Sequence, residues 1–87
     1  MITAWDTEAW QDYLYWQTQD KKTLKRINVL IQDIMRNPFE GIGKPEPLKH
    51  EFASFWSRRI DEQNRLIYKV QNELIIITQC RTHYNKN

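Results

Sequence analysis

The chain contains very little cysteine, glycine or proline, and each shortage narrows the possible folds. The single cysteine, Cys80, excludes an internal disulfide framework and fits a reducing compartment. The 2 glycines and 3 prolines all lie between Pro38 and Pro47. Proline stiffens a backbone and glycine loosens it, so this segment is predicted to be a connector. It is longer than a typical loop, which favours a functional role.

Long apolar runs and targeting signals are also missing. No apolar stretch approaches the length needed to cross a bilayer. Residues 1–4 lead directly into Trp5 and Asp6, which is not the pattern of a secretory signal. We therefore expect a cytoplasmic protein without a membrane partner.

Size and charge indicate one small globular domain with a basic second half. The 87 residues are 40% hydrophobic and 28% charged, with a net charge of +2, and leave no room for a second core. Residues 1–43 carry five Lys/Arg against six Asp/Glu, whereas residues 44–87 carry eight against five. This excess suits an anionic partner such as RNA, although an ordinary solvated surface explains it as well.

Two amphipathic helices are predicted in the first half, after a short strand at residues 2–5. Asp6 caps a helix at residues 7–19, and a second helix runs from a cap at Asp20 to Asn37, where Pro38 ends it. The first helix has an apolar, mainly aromatic face of Trp10, Tyr13 and Leu14, extended by Trp16. The second has apolar residues at three- and four-residue steps, namely Leu24, Ile27, Ile31 and Ile34.

Three strands are predicted in the second half, at residues 55–60, 65–70 and 74–81. Turns at residues 61–64 and 71–72 would join them into an antiparallel meander. The expected fold class is α+β, with two N-terminal helices packed on one face of a twisted antiparallel sheet. The other face is then left for function.

The last strand leads into a polar cluster that suggests acid–base chemistry on RNA. Arg81 and His83 share strand parity, and Tyr84 follows. Upstream, Glu46 sits between two prolines that restrict its backbone. A carboxylate that takes a proton, an imidazole that gives one and arginines that hold a phosphate can form a ribonuclease site without metal.

Each of these residues also has a simpler reading. His83 and Glu46 can be surface residues, and Tyr84 can either stack on a base or close the edge of the core. Arg59 and Arg65 point to opposite sheet faces if the turn between their strands has two or four residues. They point to the same face if the turn has an odd number of residues or contains a β-bulge. No metal-ligand spacing and no glycine-rich phosphate loop are present, so no cofactor is expected.

Several segments together resemble the YoeB family of toxins within the RelE superfamily. They are residues 10–16, 37–49, 55–60, 65–68 and 80–84, and the likeness runs in register from Trp5 to Tyr84. It implies a single domain at residues 1–84 with a short polar tail at residues 85–87. Asn64 departs from the pattern, because many relatives carry histidine there.

The resemblance implies a type II toxin that cleaves mRNA in the ribosomal A site and so inhibits translation. Its partners would be mRNA, the ribosome, a YefM-like antitoxin and a second copy of the chain. The matching positions assign Glu46 as general base, His83 as general acid, Arg65 as transition-state stabiliser and Tyr84 as the residue that positions the nucleotide. Lys49 and Arg59 would assist Arg65 in binding the substrate.

Two alternative functions, from other classes of protein, remain open at this point. One is a non-catalytic RNA- or ribosome-binding module that blocks translation by occupancy. The other is a structural subunit whose only partner is an antitoxin-like chain.

Overall fold

The computed structural model describes residues 1–81, which form two helices and a five-stranded sheet. The elements in chain order are β1 (Ile2–Trp5), α1 (Thr7–Gln19), α2 (Lys21–Arg36), β2 (Glu46–Pro47), a short 3-10 helix (His50–Phe52), β3 (Phe55–Arg59), β4 (Arg65–Gln71) and β5 (Leu74–Gln79). The strand order in the sheet is β1-β5-β4-β3-β2. The predicted α+β class, with two helices on a sheet, is confirmed.

Side-chain caps set the helix boundaries as the sequence predicts. The Asp6 carboxylate accepts a hydrogen bond from the Glu8 backbone N–H, and the Asp20 carboxylate accepts from those of Lys22 and Thr23. Each cap satisfies donors that a helix N-terminus otherwise leaves unpaired. Asn37 ends α2 in an extended conformation ahead of Pro38.

The buried face was predicted correctly for α2 but not for α1. In α2, Ile27 and Ile34 are buried as predicted. In α1, Ala9 and Trp16 are the buried pair, whereas Trp10 and Leu14 are among the exposed large hydrophobic residues. The prediction of one continuous aromatic face was therefore wrong. Residues 9 and 16 are seven apart, so they share one side of the helix, and Trp10 is rotated away from it.

The sheet is mixed because the first strand joins it in the parallel direction. β3, β4 and β5 form the predicted antiparallel meander, while β1 pairs in parallel with β5 from Ile2 opposite Leu74 to Trp5 opposite Ile77. β2, which was not predicted, adds an antiparallel edge next to β3. The β4–β5 register shifts between Ile67 and Tyr68, which marks a bulge.

The core lies between the helices and one face of the sheet. It includes Trp16, Ile27, Leu30 and Ile34 from the helices and Leu66, Tyr68, Ile75 and Ile77 from the strands. Within the part of the chain that the structure describes, no helix is both long and apolar enough to span a membrane.

Arg58 is a charged residue with no exposed surface, and it contacts Tyr68 of this core. All five of its N–H groups are used. Nη1 donates to Asp33 Oδ2 at 2.7 Å and to the Ile42 carbonyl, Nη2 donates to the carbonyls of Asn37 and Glu40, and Nε donates to the Tyr68 hydroxyl. A buried charge is tolerated only with such partners.

These hydrogen bonds hold the connector between α2 and β2 against the core. The Tyr68 hydroxyl donates to the Pro38 carbonyl at 2.6 Å, and Asp33 accepts from the Ile42 backbone N–H at 3.0 Å. Gly41 has a φ of 136°, and a Cβ there would collide with Asp33 Oδ2. Only glycine therefore fits this turn.

The hydrogen bond from Arg58 lowers the pKa of Asp33 below its ordinary value of 3.8. A carboxyl with a lowered folded-state pKa stabilises the fold above its ordinary pKa. That contribution is lost as the pH falls through the folded-state value.

Replacing Arg58 should destabilise the protein strongly. We expect Arg58→Met to lower the free energy of unfolding by about 3 kcal/mol, because it removes the buried cation and leaves its acceptors unpaired. Urea unfolding followed by circular dichroism measures the change.

Arg36→Met is the matched control, because Arg36 pairs with the same Asp33 at 3.4 Å but its side chain is 81% exposed. It should change the free energy by no more than about 0.5 kcal/mol. Equal effects of the two substitutions would contradict a central role for Arg58.

Candidate active site

Glu46 lies on the sheet face that points away from the helices. It begins β2 and pairs directly with Ser57 of β3, so the two side chains share one face. Arg58, the next residue along β3, points to the opposite face, into the core. Glu46 is exposed, and the prolines on both sides limit its backbone freedom.

Arg59 and Arg65 lie on the same face as Glu46. They form a directly opposed pair in the β3–β4 ladder, and Arg59 is two residues beyond Ser57. The connection between the two arginines, residues 60–64, has an odd length, which resolves the alternative that the sequence left open. The structure thus brings the carboxylate and both guanidinium-bearing residues to one surface.

The turn before β4 fixes the Arg65 side chain. Arg65 Nη1 donates to the carbonyl oxygens of Asp61 at 2.8 Å and Asn64 at 3.2 Å. The Asp61 carboxylate closes the turn by accepting from the backbone N–H groups of Gln63 and Asn64. Asn64, the position that departs from the family pattern, also donates its amide to Asp61. Arg65 is therefore held in place before any ligand binds.

Both guanidinium groups retain charge that can bind an anion. Within residues 1–81, no carboxylate lies within 4.0 Å of Arg59 or Arg65, since both ion pairs there involve Asp33. The Arg59 backbone is anchored instead, because its N–H donates to the Gly43 carbonyl at 2.7 Å and its carbonyl accepts from Arg26.

Lys49 adds a cation three residues after Glu46. It is exposed and caps the short 3-10 helix, where its carbonyl accepts from the Phe52 backbone N–H at 3.0 Å. The neighbouring Leu48 is buried and donates its N–H to the Phe55 carbonyl at 2.9 Å. The segment that carries Glu46 and Lys49 is thus anchored at both ends.

His83 and Tyr84 lie outside the described residues 1–81, but the chain that leads to them is held firmly. Trp16 Nε1 donates to the Cys80 carbonyl at 2.8 Å, and Asp12 Oδ2 accepts from the Cys80 backbone N–H at 3.1 Å. Burial raises the pKa of Asp12, against the opposing effect of the Cys80 hydrogen bond. Helix α1 therefore fixes the backbone three residues before His83.

Arg81 differs from its predicted position. β5 ends at Gln79, and the Arg81 guanidinium lies over the Tyr15 ring, 3.6 Å from its centroid. The prediction that the strand continues through residue 81 was wrong. The physical reason is that Asp12 and Trp16 bind the backbone at Cys80, so it leaves the ladder. The predicted strand parity of Arg81 and His83 involves a residue outside the described part of the chain.

The described chain offers no evident metal site. Within residues 1–81, no three His, Cys, Asp or Glu side chains come together in a group that could hold an ion. The site combines one carboxylate with two arginines on one sheet face, namely Glu46, Arg59 and Arg65, and the exposed Lys49 follows Glu46 by three residues. That set can bind a phosphate and accept a proton.

Sequence reasoning named Arg58 only as one of several arginines and missed its structural role. A signal was available, because Trp56, Arg58 and Ile60 share strand parity and two of the three are apolar. That pattern places Arg58 on the buried face.

Comparison with known proteins identifies the family of this chain. The family model described as a YoeB-like toxin of bacterial type II toxin–antitoxin systems matches residues 5–84. The chain belongs to this family. It is 58% identical to the toxin YoeB of Escherichia coli (strain K12) over 84 residues, which cover 97% of this chain and all of that toxin.

Solved structures of YoeB toxins have the same fold. The YoeB dimer from Staphylococcus aureus superposes with a TM-score of 0.89 at 44% identity, over 97% of this chain and 98% of that one. A heterotetrameric YoeB–YefM toxin–antitoxin complex from the same organism gives a TM-score of 0.88 at 44% identity, with the same coverage.

The Cys80 thiol should be chemically inert in the folded protein. It has no exposed surface, and burial raises its pKa from 9.0 to about 12, with a smaller contribution from the nearby Asp12. The thiolate fraction at pH 7.5 should therefore fall about a thousandfold. Iodoacetamide labelling followed by mass spectrometry measures the rate.

The guanidinium-unfolded chain is the control for this measurement and should label at the rate of an ordinary thiol. Comparable labelling of folded and unfolded protein would show that α1 does not enclose the end of β5.

Proposed function

We propose that the protein is a ribosome-dependent mRNA endoribonuclease that acts by acid–base transesterification. The observation that carries the proposal is the common face shared by Glu46, Arg59 and Arg65. The family membership makes mRNA in the ribosomal A site the expected substrate, and translation is inhibited because the message is cut.

In the proposed reaction, Glu46 takes the proton of a ribose 2′-hydroxyl. The 2′-oxygen attacks the adjacent phosphorus, and the bond from phosphorus to the 5′-oxygen breaks. His83 donates a proton to that leaving oxygen. The products are a 2′,3′-cyclic phosphate and a free 5′-hydroxyl, so every proton and bond is accounted for without a metal or another cofactor.

The arginines act on the charge that develops in this reaction. Arg65 binds the phosphoryl oxygens as negative charge builds on them, and it is suited to this because turn carbonyls already orient its side chain. Arg59, directly opposite, adds positive charge at the same surface. Lys49, three residues after Glu46, supplies a further cation for the substrate. Tyr84 positions the nucleotide beside the scissile bond.

Substitution of the two proton-transfer residues tests the mechanism. We expect Glu46→Gln and His83→Ala each to reduce the cleavage rate by about 10²–10⁴-fold, because each removes one proton transfer. Primer extension on mRNA from stalled ribosomes, in excess EDTA, maps and quantifies the cuts.

Glu51→Gln is the matched control, because this exposed glutamate lies on the 3-10 helix outside the proposed set. Its cleavage rate should equal that of the wild type. Stalled ribosomes with intact mRNA under the wild-type protein would instead support a module that blocks translation by occupancy.

We also propose that the chain forms homodimers and binds a YefM-like antitoxin, as the Staphylococcus aureus relatives do. Residues 1–84 would form the single domain that makes these contacts, with residues 85–87 as its tail. Trp10 suits a dimer contact because it is 43% exposed and stacks on Tyr13, with ring centroids 5.7 Å apart. Exposed aromatic residues of this kind are enriched at interfaces.

Trp10→Glu should therefore convert the dimer to a monomer, because it places a charge in an apolar contact. Size-exclusion chromatography with light scattering at micromolar concentration measures the mass. Phe39→Glu is the control, since Phe39 is 48% exposed and lies on the connector. A wild-type monomer at this concentration, or a dimeric Trp10→Glu variant, would contradict the proposed contact.

A further inference from the structure

A further cation, Lys69, lies on the sheet face that points away from the helices, the face that also carries Glu46. Lys69 has the same strand parity as Arg65 in β4, whereas Leu66 and Tyr68 alternate with them and are buried in the core. The four residues from Arg65 to Lys69 span about 13 Å of strand. Lys69 is therefore a neighbour of the proposed site without being part of it.

The Lys69 side chain lies over the aromatic ring of Phe55, its direct partner in the β3–β4 ladder. The ammonium nitrogen is 5.2 Å from the ring centroid, and both residues are partly buried. The ring attracts the ammonium group through its π-electrons and limits the positions that the long side chain adopts. The cation is thus held in place before an anion binds, as the Arg65 guanidinium is by its turn carbonyls.

No carboxylate neutralises this cation. Within the described part of the chain both ion pairs involve Asp33, so no acidic oxygen lies within 4.0 Å of the Lys69 ammonium group. Asp6 and Glu8 line a cavity next to β5 and add negative charge on that side of the sheet. A polyanion is therefore drawn along β4, from Arg65 to Lys69, rather than across β5.

The stretch of β4 between the two cations is uncharged on this face. Ile67 is the one residue there, midway between Arg65 and Lys69. Cations separated by an uncharged step match a single strand of nucleic acid, in which charged phosphates alternate with uncharged sugars and bases. The spacing also means that the two cations suit different phosphates.

We propose that Lys69 binds a phosphate of the message close to the scissile one and so extends the RNA-binding surface along β4. The scissile phosphate binds at Arg59 and Arg65, and the RNA continues past Ile67 to Lys69. The contact is independent of the base, because a lysine that binds a phosphate reads only the charge of the backbone. This inference rests on the proposed endoribonuclease function.

Lys69→Met tests the charge, because methionine keeps an unbranched side chain that can cover Phe55. At subsaturating protein, its cleavage rate on ribosome-bound mRNA should fall about three- to tenfold, with the saturated rate equal to that of the wild type. The slope of log rate against log salt concentration should become shallower by about 0.7, as expected for one phosphate contact on a single strand. Lys69→Arg, which keeps the charge, should retain the wild-type values.

Neutral linkages in the RNA then identify the phosphate. In synthetic mRNAs, a single methylphosphonate replaces each linkage in turn near the cleavage site, apart from the scissile one. At one of these linkages Lys69→Met should cause no further loss, because the partner of the lysine is already uncharged. Lys25→Met is the matched control, because Lys25 is exposed on α2, which packs on the opposite sheet face. Its rate relative to the wild type should be the same with and without each methylphosphonate.

The outcomes separate this contact from the enzyme function. An unchanged rate and salt dependence in Lys69→Met would overturn the contact and leave the endoribonuclease intact. A loss that persists at every methylphosphonate position would do the same, and would place Lys69 against the ribosome instead of the message. An equal fall at saturating protein would also overturn it, because a distant phosphate contact does not change the chemical step. No cleavage of any mRNA by the wild type would overturn the enzyme function and this contact together.

Discussion

The contact between Arg58 and Asp33 is the constraint on which the rest of the structure depends. It joins the second helix, the third strand and the connector in one buried set of hydrogen bonds. An apolar residue at position 58 could fill the space, but it could not satisfy the connector carbonyls that turn inward there. The charge is therefore buried to fix a loop, and that loop carries Glu46 to the edge of the sheet.

The candidate site is supported from two independent directions. Arg58 and Tyr68 hold the connector that leads to Glu46, while Asp12 and Trp16 hold the backbone that leads to His83. The sheet lies between these two supports and contributes the arginines from its central strands. Loops commonly carry functional residues on a rigid scaffold. Here the segment that leads to Glu46 and the segment that leads to His83 are each anchored by a buried polar contact.

The sequence was informative wherever a local pattern determines structure. Asp6 and Asp20 cap helices, Pro38 stops one, and alternating residues reveal the meander, so the fold class followed from short-range physics. Non-local pairing was not accessible in the same way. The two-residue strand at Glu46 exists only because β3 pairs with it, and Arg81 leaves its strand only because α1 binds Cys80. The resemblance to a family supplied the site residues, which periodicity alone left undecided.

The parallel pairing of the first strand with the last has a consequence for biosynthesis. Ile2–Trp5 must wait for its hydrogen-bonding partner, Leu74–Ile77, which lies about seventy residues further along the chain. The parallel edge of the sheet therefore cannot form until β5 has been synthesised. A nascent chain is thus kept from completing its sheet, and with it the surface proposed as the active site, until that point.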